Sequence, residues 1–291
     1  MLMVFSMTSE AFLRLFCFGA LFAVFGIWEL LFPRRKRRFT RARRWTSNLG
    51  LALIDVLVLR ILLPTAAVGI ALQAHASGWG LFNNLSLPEP LEMVLAVVLL
   101  DLIVYLQHLM FHATPLLWRL HLVHHTDMDL DLTTGLRFHP IEILISMIIK
   151  MTAVAALGPS VFSVLAFEIL LNGTAMFNHG NIALPASADR ILRLFLVTPD
   201  MHRVHHSVTI RETNSNFGFN LPWWDRLFGT YRDQPVMDHE TMPLGIAPFR
   251  KDTDLSLGNL LILPLKANPG AYSLNRIGAD PKRLRNGRQN R

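Results

Sequence analysis

The sequence predicts an all-α protein: a polytopic bundle of four to five membrane helices, or three spans plus a shallow hairpin, with a His-rich cap on its cytoplasmic end. Three observations carry that expectation. Of 291 residues, 52% are apolar and 17% charged, against about a quarter charged in soluble domains. The apolar residues fall into runs near 20 long, enough at ~1.5 Å per residue to cross ~30 Å of hydrocarbon. Ten of the 12 histidines crowd between positions 108 and 206.

The first span covers 11–32. It is too long for a signal-peptide core and lacks a basic leader, so it is expected to be retained. The next loop carries Arg34, Arg35, Lys36, Arg37, Arg38, Arg41, Arg43 and Arg44, which the positive-inside rule assigns to the cytoplasm. A second span over 49–74 leads outward to a loop, 77–90, without Lys or Arg. A third span over 91–112 returns inward. Runs 140–157 and 161–177 form a pair joined by Gly158-Pro159, a helix-breaking turn. Hydropathy then falls, and 282–291 forms a second basic patch. The expected organisation is 1–90 as N-terminal spans and basic loop, 91–235 as the His-bearing domain, and 236–291 as a cytoplasmic tail.

The net charge of +7 sits mainly in the two patches flanking apolar runs. They read as orientation signals, not as a nucleic-acid surface. Only five of the 28 basic residues are Lys, a bias that favours a bacterial inner membrane over the endoplasmic reticulum. With Cys17 as the single cysteine, disulfides and thiolate clusters are excluded. Any metal here is held by nitrogen or oxygen.

His108 and His112 are spaced i, i+4 on one helix face. His121-Leu-Val-His124-His125 and His202-Arg-Val-His205-His206 repeat the pattern HxxHH. In a helix each such segment offers three imidazoles on one side, more ligands than one four-coordinate ion can use. Two adjacent metals with four or five nitrogens each is the economical reading. His179, at the inner end of the 161–177 run, is expected to join them. His139, just before Pro140, is open between a ligand and a group that orients one. Ionisable residues within spans mark pairs or functional groups, and Arg60, Asp101, Lys150 and Glu168 are among them. Equal depths suggest the couples Arg60–Asp101 and Lys150–Glu168, while Asp101 is alternatively a partner orienting a ligand histidine.

The ordered segments Asp101 to His112, Leu117 to His125, Arg137 to Glu142, Phe177-Asn178-His179-Gly-Asn181, Thr198 to His206 and Trp224-Asp225 to Tyr231 resemble the fatty acid hydroxylase superfamily, also called the sterol desaturase family. The resemblance covers 101–231. It implies an integral-membrane, non-haem di-iron enzyme that uses O2 to oxidise lipid C–H bonds, with two iron ions that zinc can replace on purification. It also implies supporting roles for Asn178 and Asp225. Hydroxylation is the expected reaction, with desaturation and ether-lipid cleavage as alternatives within the family. A non-enzymatic metal transporter or sensor is the rival reading, but its histidines should line a transmembrane path. Each turnover needs two outside electrons, and neither a cluster-ligating cysteine set nor a Gly-rich dinucleotide motif is found. A ferredoxin-like or cytochrome b5-like carrier with its reductase is therefore expected to dock near Arg119, Arg137, Arg203 and Arg211.

Overall fold

A computed structural model of the chain describes residues 7–267 and 272–274; the basic patch at 282–291 lies outside them. The helices in chain order are α1 (Met7–Leu31), α2 (Arg41–Leu62), α3 (Ala66–Ser77), α4 (Glu89–Ala113), α5 (Pro115–His125), α6 (Pro140–Leu157), α7 (Val161–His179), α8 (Ala186–Leu192), α9 (Pro199–His205), α10 (Ile210–Thr213), α11 (Trp223–Leu227) and α12 (Leu257–Lys266). Among the described residues no strand forms; two isolated bridges, Pro33 to Ile182 and Ser207 to Leu244, tie loops together.

Five apolar segments are long enough to cross a membrane: Glu10–Leu31, Arg41–Asn84, Glu89–Ala113, Pro140–Leu157 and Val161–His179. The expected single helix over 49–74 is broken between α2 and α3, where Pro64 follows Leu63 and Ala66 takes φ 47°. Proline cannot donate the helical bond and clashes with the preceding turn. Of the two alternatives for the last pair, spans or a shallow hairpin, the structure has two span-length helices, α6 of 18 residues and α7 of 19. Their turn requires Gly158 (φ 62°), since a Cβ there would lie 2.4 Å from Trp79 O.

Exposed Phe12, Leu15, Phe16, Val24, Ile27 and Leu30 coat α1, the inverted polarity of a lipid-facing helix. Inside the bundle, Ala67, Val68 and Ala71 of α3 pack with Leu100 of α4, Val154 of α6 and Phe167 of α7. At the other end, Leu51 of α2, Trp118 and Leu122 of α5, and Leu260 and Leu263 of α12 form a second core with Tyr272. The stretch expected as a tail from 236 is thus packed into the cap through its described part. Glu29 of α1 is fully buried and accepts the backbone N–H of Leu132 (2.6 Å) and Asn181 (3.1 Å), fastening α1 to the same end.

The basic loop joins that cap. Arg44 is fully buried: its Nε and Nη2 donate to Asp127 at 2.9 and 2.7 Å, and Nη1 pairs with Asp131. Arg34 reaches Asp200 (3.3 Å) and Glu240 (2.7 Å). Lys150 and Glu168 pair at 2.7 Å as expected, with Arg14 a second cation on Glu168 at 2.6 Å. The Arg60–Asp101 couple does not form. Arg60 is exposed, and Asp101 instead accepts Asn220 N (3.2 Å), Leu221 N (3.1 Å) and Trp224 Nε1 (2.9 Å). Asp101 therefore holds the loop before α11 and, among the described residues, hydrogen-bonds no histidine.

Candidate metal centre

Helix periodicity divides the histidines. At ~100° per residue, His121 and His125 lie about 40° apart around α5, while His124 points about 60° to the other side of His121. The same angles hold for His202, His206 and His205. The structure accordingly gathers His108, His112, His121, His125 and His205 into one set and His124, His179, His202 and His206 into another, ligand atoms within each lying within 4.8 Å of one another. Each HxxHH segment feeds both sets. All nine are buried.

Six of the nine have Nδ1 on an oxygen acceptor. His108 donates to Phe217 O (2.7 Å), His124 to Arg137 O (3.2 Å), His179 to Ala175 O (2.6 Å) and His205 to Ser215 O (2.7 Å). His121 donates to Glu142 Oε1 (2.6 Å) and His112 to Asn214 Oδ1 (3.3 Å). Carbonyl and carboxylate oxygens only accept, so the Nδ1 proton is held there and each Nε2 keeps its lone pair.

Those lone pairs face one another. Nε2 of His108 is 3.1 Å from that of His121, and Nε2 of His179 is 3.1 Å from His124 and 3.0 Å from His202. With the Nδ1 protons of His108, His121, His124 and His179 committed to oxygens, the His108–His121 and His179–His124 contacts repel unless a cation lies between. Two nitrogens ~2.1 Å from one ion at right angles lie about 3.0 Å apart, which fits. His112 Nε2, His205 Nε2 and both ring nitrogens of His125 and His206 are buried without any partner, a cost that coordination removes. The donor set therefore suits two adjacent imidazole-bound transition metals. Burial holds the groups neutral, as ligation requires: His121 is lowered to about 3, and His124, His125, His202, His205 and His206 well below the usual imidazole range.

His139 stands outside both sets. Its Nδ1 accepts the N–H of Ile141 (3.2 Å) as the N-cap of α6, and its Nε2 donates to Leu261 O (3.1 Å). With both nitrogens occupied it is a structural residue, correcting its candidacy as a ligand.

The supporting shell is built from loops. Asp225 is fully buried and accepts Phe217 N (2.8 Å), Gly218 N (2.8 Å) and Thr230 Oγ1 (2.7 Å). It therefore pins the carbonyl that receives the His108 proton, and Thr230 continues to Tyr105 OH at 2.9 Å. Asn178 donates to Phe219 O (3.1 Å) on the same loop. A 3-10 turn, Leu132–Leu136, sits against α7, where a Cβ on Gly135 would meet Ala175 O at 2.5 Å. The carbonyl partners Phe217, Ser215, Ala175 and Arg137 carry no sequence signal, because every residue type has a carbonyl. Glu142 had one: an acidic residue in the first turn of α6, two residues past Pro140.

The expected carrier-docking surface needs correction. Arg137 is buried with its guanidinium on Val123 O, Asn48 Oδ1 and Thr126 Oγ1, and Arg203 is buried against Asp200. Arg211 is exposed and Arg119 half-buried.

A cavity of about 530 Å³ opens from this centre into the bundle. His108, His121, Phe138 and Glu142 line its metal end; Leu59, Leu100, Val104 and Met147 line its walls; Arg14, Lys150 and Glu168 line its far part.

Residues 93–230 match the family model described as fatty acid hydroxylase. Similar curated proteins include an ornithine lipid hydroxylase of Rhizobium tropici, 30% identical over 148 residues, covering 51% of this chain and 44% of that one. An alkylglycerol monooxygenase of Xenopus tropicalis is 29% identical over 191 residues, 63% of this chain and 41% of that one. A very-long-chain aldehyde decarbonylase of Oryza sativa subsp. indica is 30% identical over 158 residues, 53% and 59% respectively. The chain thus spans roughly half the length of these relatives. No solved structure matches it. The segment that carries all nine clustered histidines is thus similar to the fatty acid hydroxylase family.

Proposed function

We propose that the protein is a membrane-embedded, O2-dependent lipid monooxygenase that hydroxylates a C–H bond at the cytoplasmic face, using two iron ions held by His108, His112, His121, His125 and His205 and by His124, His179, His202 and His206. The observation that carries this reading is the pairing of two imidazole sets with an apolar cavity whose end wall is made by two of their members. Two bound irons would supply the redox chemistry that zinc lacks. The chain supplies the rest: Glu142 keeps the proton on His121 Nδ1, the Asp225-held loop keeps it on His108 Nδ1, and the apolar walls exclude water from the reacting carbon. The basic loop packs on the same end as the histidines, so the positive-inside rule turns both to the cytoplasm of, in this reading, a bacterial inner membrane. An external carrier, ferredoxin-like or cytochrome b5-like with its reductase, delivers electrons there near Arg119 and Arg211.

Similarity to the alkylglycerol monooxygenases favours ether-lipid oxidation as a second reading. A metal transporter fits less well, because the histidines form a closed cluster at one end of the bundle instead of a path across it. The deciding experiment is comparative lipidomics of a deletion strain, wild type, and strains carrying His125→Ala or His206→Ala. Loss of one hydroxylated lipid in all three mutants, with two metals per wild-type chain, supports the proposal. An unchanged lipidome with altered cellular metal content refutes it.

A further inference from the structure

The buried face of α2 is a polar stripe: Arg44, Ser47, Asn48, Leu51 and Asp55. Arg44 is satisfied by Asp127 and Asp131, and Asn48 by Thr133 and Arg137. Asp55 differs. It is 6% exposed, it lines the cavity, and among the described residues its Oδ1 has no hydrogen-bond partner. Glu142 repeats the pattern from the neighbouring helix. One of its oxygens holds His121, while Oε2 is buried, unpartnered and part of a residue lining the same cavity.

The other polar groups around that space do not answer them. Lys150 and Arg14 are both engaged by Glu168, and Gln107 donates to Ser146 at 2.7 Å. Arg60 also lines the cavity, but it lies about 140° around the helix from Asp55, is exposed and makes no hydrogen bond to it. Asp55 Oδ1 and Glu142 Oε2 are thus two buried acceptors left unanswered on a largely apolar wall, although Arg60, Thr65 and Asn172 also line the cavity. A buried acceptor left unmade is costly, and a carboxylate can only be satisfied by a ligand that brings an N–H or O–H.

We propose that Asp55, with Glu142 Oε2, reads a hydrogen-bond donor on the lipid, a hydroxyl or an ammonium, and so selects which lipid is held with its chain against His108 and His121. Asp55 lies outside residues 93–230 that match the family model, so substrate choice would be set by a helix separate from the metal-bearing segment. This inference rests on the lipid-oxidation reading, but its test measures binding and needs no turnover.

The test uses the full chain in nanodiscs and three dodecyl probes, read by native mass spectrometry: dodecyl glycerol, dodecylamine, and the dimethyl ether of dodecyl glycerol, which has no donor. Wild type should bind at least one donor-bearing probe about ten-fold tighter than the capped ether, the scale of one hydrogen bond to a charged group. Preference for the glycerol assigns a hydroxyl; preference for the amine assigns an ammonium. Asp55→Leu should bind all three alike. Because it removes an unpaired buried carboxylate, its melting temperature should not fall. Asp55→Asn, which keeps one acceptor oxygen, should retain a hydroxyl preference and lose an ammonium preference. Equal binding of the capped ether by wild type, or an undiminished donor preference in Asp55→Leu, overturns the proposal. Oxidation of some lipid in cells alongside either result would leave the enzymatic reading intact and remove only the role of Asp55.

Discussion

Replacing Asp225 with Ala should damage the metal centre although Asp225 touches no clustered histidine. Its carboxylate accepts two backbone N–H groups and one hydroxyl in a fully buried position. Truncation strands Phe217 N and Gly218 N without water to replace the acceptor, at about 1–3 kcal/mol for each buried donor. The loss should total roughly 2–6 kcal/mol. The freed loop also carries Phe217 O, the 2.7 Å acceptor for His108 Nδ1, and removal of such outer partners lowers metal affinity about 10–100-fold. Thermal unfolding of the metal-free protein and chelator competition on the loaded protein report the two effects separately. A variant with wild-type melting and wild-type metal retention would refute the claim that this loop positions His108.

Glu142→Gln keeps an acceptor near His121 but removes the charge, and should weaken metal retention less than Glu142→Leu does; equal retention by all three proteins would remove Glu142 from the centre. His139→Ala should retain two metals per chain and cost about 0.5–2 kcal/mol, the loss of a helix cap; metal analysis finding one ion lost would restore it as a ligand. Acidification should destabilise the metal-free protein. Burial lowers His121 to about 3 when folded against near 6.5 when unfolded, so between those values the unfolded chain binds more protons and stability is lost as pH falls. The slope approaches about 1.4 kcal/mol per pH unit for each such histidine, and melting temperatures equal at pH 7.5 and 5.5 would contradict it.

The expectations that survived most directly depend on local or periodic properties. A span is set by the free energy of placing successive residues in hydrocarbon, which length and composition express without knowledge of neighbours; hence the apolar runs reappear as α1, α2 with α3, α4, α6 and α7. The i, i+3, i+4 spacing of His121, His124 and His125 belongs to the helix itself, so a multi-imidazole surface was legible before any fold was known. Lys150 and Glu168 were legible for a related reason, since a short hairpin through Gly158 forces equal depths on α6 and α7 to face each other. Equal depth failed for Arg60 and Asp101 because α2 and α4 are joined by no such turn, and depth says nothing about direction around a helix axis. Only the tertiary structure decided that Asp101 serves backbone amides, that His139 is spent on a cap and a carbonyl, and that each HxxHH segment divides between two histidine sets. The same holds for Asp55 on the cavity wall. Those outcomes depend on which groups approach across distant segments, and a backbone carbonyl or an unanswered carboxylate has no signature in the order of residues.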